Sequence, residues 1–155
     1  MTKTNAMRLL DLTQIEYSVQ EYELDDNPSY GKMAAEKLGV SGDEIFKTLV
    51  TRGDKTGINV FCIPVNSHLD LKKAAKASKN KNIEMVLSKE VLSLTGYIVG
   101  ACSPIGMKKL YPTFIDETAI LFDKIGISGG LRGVEIVIEP NELSAFINAE
   151  FHDLT

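Results

Sequence analysis

The 155-residue chain contains no tryptophan, only two cysteines and two histidines, and five prolines. Each scarcity closes off a class of protein. Cys62 and Cys102 lie far apart and form no C-x-x-C pair, so neither a redox motif nor a zinc ribbon is supported. His68 and His152 are also distant from one another, and a four-ligand zinc site would need all four of these residues. No metal and no cofactor are expected. No apolar run approaches the ~18 residues of a membrane span. Met1 to Leu10 has no apolar stretch behind its basic residues, so it does not read as a signal peptide. The expectation is a soluble, cytoplasmic domain without a membrane partner. A positive excess is missing too: 17 Lys and Arg stand against 21 Asp and Glu, a net charge of −4. That balance argues against a DNA partner or any nucleic acid held by bulk electrostatics.

What is present suits one domain over residues 1–155, with 44% hydrophobic residues and no need of a disulfide. Asn5–Leu12 reads as a short helix, and Ile15–Leu24 alternates like a strand. Ser29–Leu38 reads as a helix stopped by Gly39. A helical turn at Asp43–Phe46 leads into a strand, Lys47–Arg52. The turn Gly53-Asp54-Lys55-Thr56-Gly57 then returns the chain as Ile58–Val65, a hairpin. Leu69–Ala77 is a lysine-bearing helix, Ile83–Val86 a short strand, and Ser88 caps a helix through Leu94. Thr95–Pro112 is long and irregular, which is uncommon in a compact domain unless the segment has a task. Strands follow at Phe114–Ile115, Ile120–Ile127 and Gly133–Ile138, and Pro140 starts a closing helix to about Phe151. The pattern predicts an α+β fold with a mixed, largely antiparallel, barrel-like sheet flanked by helices.

Four constellations could carry chemistry. Gly126-Ile127-Ser128-Gly129-Gly130 matches G-x-S-x-G, and Glu135 or Glu139 followed by His152 would complete a triad in chain order. Strand patterns on both sides make a hairpin turn the simpler reading. Lys47 has apolar neighbours on both sides; it is either a strand lysine reaching solvent or a compact charge at a pocket wall. The loop from Gly96 to Gly106 is either a surface connection or a row of backbone N–H donors aimed at an ester carbonyl. Cys102 within it could be a nucleophile but has no histidine nearby in sequence. Lys72, Lys73 and Lys76 share a helix face, either solvated or touching a few RNA phosphates. A small serine esterase and a non-catalytic module binding tRNA or a synthetase are therefore competing classes.

Phe46-Lys47-Thr48-Leu49, Leu69-Asp70-Leu71-Lys72-Lys73, Thr95-Gly96-Tyr97 through Ser103-Pro104-Ile105-Gly106, and Ser128-Gly129-Gly130-Leu131-Arg132-Gly133 occur in order. Together they resemble the YbaK/EbsC family, freestanding relatives of the editing domain of bacterial prolyl-tRNA synthetases. The resemblance runs from about Ala6 to Asp153. It implies a trans-editing aminoacyl-tRNA deacylase that removes mischarged cysteine from tRNA(Pro), and by extension tRNA(Cys). The alternative within the family is removal of alanine by an ordered water. A second site is needed because a pocket gains only ~1–3 kcal/mol of discrimination per methylene. The resemblance assigns catalytic roles to Lys47 and Gly100. It assigns substrate contacts to Tyr22, Tyr30, Thr48, Ser103, Pro104, Ser128, Gly129, Gly130 and Glu135, and leaves Lys72, Lys73 and Lys76 as RNA contacts. Its implied partners are mischarged tRNA(Pro) and, transiently, prolyl-tRNA synthetase. Three positions bear on which amino acid is accepted: Tyr30 in place of phenylalanine, Cys102 in place of a bulkier aliphatic residue, and Glu135 in place of aspartate. If the implication holds, Lys47 and Gly100 must face one cavity.

Overall fold

The computed structural model describes residues 2–26 and 29–155. Helix α1 (Asn5–Asp11) starts where the Thr4 hydroxyl accepts from the Met7 N–H, and it is followed by β1 (Tyr17–Glu21) and α2 (Tyr30–Leu38). The predicted hairpin is present as β2 (Phe46–Gly53) and β3 (Gly57–Pro64), paired antiparallel from Phe46↔Pro64 to Gly53↔Gly57. Then come α3 (Leu71–Ala77), β4 (Ile83–Met85) and α4 (Ser88–Thr95). Ser88 is the first residue of α4 and not its cap. The chain enters through Leu87, whose N–H is held by the Glu90 carboxylate at 2.9 Å. The remainder is β5 (Thr113–Asp116), a 3-10 turn (Glu117–Leu121), β6 (Ile125–Ser128), β7 (Val134–Ile138), α5 (Pro140–Ile147) and β8 (Glu150–His152).

The strands form two open sheets, ordered β1-β7-β6 and β4-β2-β3-β5-β8. Four strand pairs are antiparallel, while β3–β5 and β5–β8 are parallel, and neither sheet closes into a barrel. Among the described residues, the parallel bridge Ile45↔Gly126 joins them, with the Gly126 N–H donating to the Glu44 carbonyl at 2.8 Å. That contact brings the start of β2 beside β6. The main core packs α1, including Met7 and Leu10, and α5, including Leu143 and Ile147, against the isoleucines of β6 and β7. Burying such side chains stabilises the fold by roughly 1.5–3 kcal/mol each.

Two further sequence expectations are corrected. Ile120–Ile127 is not one strand, because the Asp116 carboxylate accepts from the Thr118 N–H and hydroxyl and starts a 3-10 turn that leaves Ile120 and Leu121 exposed. The closing helix stops at Ile147 instead of Phe151. Asn148 takes the left-handed conformation, φ 54°, and the chain turns into β8 alongside β5.

Candidate active site

The bridge between sheets, the start of β2 and the long loop after α4 enclose a cavity of about 310 Å³. Its wall includes Tyr22, Tyr30, Lys47, Thr48, Gly100, Cys102, Ser128 and Glu135, with Ile45, Phe46 and Leu49 supplying apolar surface. Residues 45–49, running from the bridge into β2, all border the cavity; Lys47 is half-buried there, while Phe46, 2% exposed, also packs in the main core. Burial lowers the Lys47 pKa, and the Lys32 charge lowers it further. No carboxylate among the described residues pairs with its ammonium.

Glu135 stands opposite Ser128 in the β6–β7 register, which turns both toward the cavity. Its carboxyl is 5% exposed, one oxygen lacks a partner, and burial pushes its pKa up to about 8. At neutral pH it is therefore a neutral acid able to donate as well as accept. Tyr22 is raised by burial and by Glu135, and its hydroxyl reaches the Tyr30 carbonyl at 3.4 Å.

Gly100 lies in a turn closed by the Ala101 N–H on the Ile98 carbonyl at 3.0 Å. Its φ of +87° at the third turn position makes this type II, a conformation that demands glycine there. The Tyr30 ring presses on it: a Cβ at Gly100 would sit 2.4 Å from Tyr30 Cδ2. Among the described residues, none accepts from the Gly100 N–H. The cavity thus offers an ammonium, an unengaged backbone donor, a buried carboxyl and hydroxyls. That set suits an acyl ester carrying an amine.

The sequence signature of the aminoacyl-tRNA editing domain matches residues 30–146. The chain belongs to this family. Membership makes aminoacyl-tRNA its substrate class and deacylation its activity. EbsC of Enterococcus faecalis, named as a candidate Cys-tRNA(Pro)/Cys-tRNA(Cys) deacylase, is 44% identical over 153 residues, 99% of this chain and 93% of that one. A crystal structure described as a candidate trans-editing enzyme for prolyl-tRNA synthetase is 26% identical, with a TM-score of 0.84 over 99% of each chain. A proline–tRNA ligase of Shouchella clausii is 30% identical over 104 residues, 67% of this chain but 18% of the ligase.

Within this editing domain, several residues expected at the substrate stand elsewhere. Ser103 is fully buried and its hydroxyl holds the Ile105 N–H at 3.2 Å, while Pro104 lines a separate depression beside Leu9 and Phe146. Both shape the loop and do not line the cavity. Gly129 backs onto Val134, and Gly130 abuts Tyr97 and Thr4, so these glycines form the β6–β7 turn behind Ser128. The serine-triad expectation fails on geometry. A strand and not a helix follows Ser128, and His152 stacks edge-on against Phe114 and bonds Glu150 in another part of the molecule. Cys102 does line the cavity, but burial pushes its thiol up to about 11, so it holds its proton at neutral pH. The α3 lysines stand apart: Lys73 pairs with Asp153 at 2.9 Å, and with Lys76 it borders a depression beside His152. Among the described residues, no metal-ligating cluster occurs and no helix is long and apolar enough to cross a membrane. Sequence reasoning missed Ile45, Leu49 and Val99 in the wall, since no residue-type signal distinguishes a cavity-facing aliphatic side chain from a core one.

Proposed function

We propose that the protein is a trans-editing deacylase that clears cysteine from mischarged tRNA(Pro), with Lys47 and Gly100 as its working groups. The observation that carries this reading is the shared cavity: Lys47 and the Gly100 turn line the same space, and among the described residues its one cysteine, Cys102, holds its proton. The Gly100 N–H donates to the ester carbonyl oxygen, and such a donor is worth about 3 kcal/mol where negative charge develops. Lys47 holds the terminal adenosine or its phosphate. Tyr22, Tyr30 and Thr48 bound the aminoacyl group, and the unpartnered Glu135 oxygen meets its α-ammonium, which draws the carboxyl toward ionisation.

The attacker is the substrate's own thiol. Its sulfur forms a bond to the ester carbonyl carbon, the bond from that carbon to the ribose oxygen breaks, and the thiol proton ends on the released hydroxyl. The product is a cyclic thiolactone that water then opens to cysteine. Tethering replaces a bimolecular encounter, which accounts for efficient cleavage without a protein nucleophile. The name of the Enterococcus relative supports cysteine as the amino acid removed, and the part-match to a proline–tRNA ligase supports tRNA(Pro) and a transient synthetase partner. The test is release of cysteine, alanine and proline from charged tRNA(Pro) by wild type and Lys47→Ala. Cysteine release by wild type, falling about tenfold to a hundredfold in Lys47→Ala through loss of a charge-assisted contact of ~1.5–3 kcal/mol, is expected. Equal rates in the two proteins, or no release from any charged tRNA, would contradict the proposal.

A further inference from the structure

Arg132 lies in the turn between β6 and β7, exposed and outside the cavity wall. Its Nε and Nη2 both donate to the Val99 carbonyl, at 2.8 and 2.6 Å. Its guanidinium also covers the Tyr30 ring, 4.7 Å from the centroid, and that ring packs on Gly100. Three segments distant in sequence therefore meet at one peptide unit, Val99–Gly100.

That unit is the central peptide of the 98–101 turn. In a trans peptide the C=O and N–H point in opposite directions, so fixing the Val99 oxygen fixes the Gly100 N–H. Type I and type II turns differ by rotation of this unit, and a glycine at the third position tolerates both. With no described acceptor on the Gly100 side, the hold on orientation comes from the carbonyl side.

We propose that Arg132 is a positioning residue: by gripping the Val99 carbonyl while stacking on Tyr30, it sets which face of the turn presents the Gly100 amide to the ester. The inference rests on the reading above, in which that amide receives the ester carbonyl. With the peptide reversed, the Val99 oxygen would face the ester oxygen, and repulsion would replace a hydrogen bond. Lysine cannot substitute fully, because the planar fork supplies two aligned donors and a flat face for the ring.

The test combines single-turnover cleavage of Cys-tRNA(Pro) with NMR of protein labelled at Val99 and Gly100, for wild type, Arg132→Lys and Arg132→Ala. Arg132→Ala is expected to slow cleavage about tenfold to a hundredfold, since it misaims one oxyanion donor. The tRNA concentration at half-maximal rate should stay within about twofold, as for an interaction made only in the transition state. Methylguanidinium should restore part of the rate, Arg132→Lys should fall between, and the Val99 carbonyl and Gly100 amide resonances should move while the remaining spectrum stays in place. Unmoved resonances, or slowing accompanied by changes across the whole spectrum, would overturn the proposal. If Arg132→Ala cleaves like wild type while Lys47→Ala does not, the Arg132 role fails and the site reading stands. If wild type cleaves no charged tRNA, the site reading fails, and the two resonances alone decide whether Arg132 orients the peptide.

Discussion

Burial raises the Glu135 carboxyl to about 8, so between pH 4.5 and 8 the folded chain keeps a proton that the unfolded chain releases. This group's stabilisation is thus complete below the ordinary carboxylate value and fades as pH rises through 8. Glu135→Gln removes the titration. Its thermal unfolding temperature should match wild type near pH 4 and exceed it by a margin that grows up to pH 8; parallel curves across that range would refute the assignment. Lys47 carries the opposite linkage. Burial and Lys32 pull its pKa below the ordinary lysine value, so cleavage that needs its ammonium must decline at lower pH than an unperturbed lysine would allow. Lys32→Gln removes one of the two causes, and the alkaline limb of the pH–rate profile should shift upward. Lys47 was marked by the order of the family motifs; its strand context alone left a solvent-reaching lysine open. The Glu135 environment was not legible in the sequence, since its burial depends on β1 and β6 flanking β7.

The 98–101 turn is the element on which the proposed chemistry turns. Gly39 and Gly100 both hold positive φ, +69° and +87°, but only Gly100 has a side chain pressed against it. Alanine at Gly39 should cost about 1–2 kcal/mol of stability from backbone strain alone and leave cleavage intact. Alanine at Gly100 adds the collision with Tyr30, so it should destabilise more and also slow cleavage; equal effects on both measures at the two positions would remove the ring from the account. Elements built from local signals were readable: the β2–β3 hairpin announced itself through its turn, and α5 through Pro140. Those depending on side-chain caps or distant pairing were not. Asp116 starts a 3-10 turn inside an apolar run, and Asn148 ends α5 with a left-handed residue that glycine usually supplies. The parallel pairings of β5 with β3 and β8 join segments far apart in sequence, which no local pattern records.

For the whole molecule, a net charge of −4 supplies no bulk electrostatic attraction for tRNA, so any phosphate contacts must come from local basic patches. The α3 patch is smaller than its sequence suggests, because Lys73 is engaged by Asp153 and the Thr155 carbonyl. If Lys72 and Lys76 touch phosphates, replacing both by alanine should reduce the salt slope of tRNA binding by about one per lysine. An unchanged slope would leave α3 as a solvated face. In the proposed reaction, ester cleavage proceeds with no acyl group passing to the protein. Mass spectrometry of the enzyme, acid-quenched during a single turnover of Cys-tRNA(Pro), tests it most directly. The protein should keep its unmodified mass at every time point while cysteine or its thiolactone accumulates. An acyl adduct on Cys102 or Ser128 that rises and decays with turnover would contradict it.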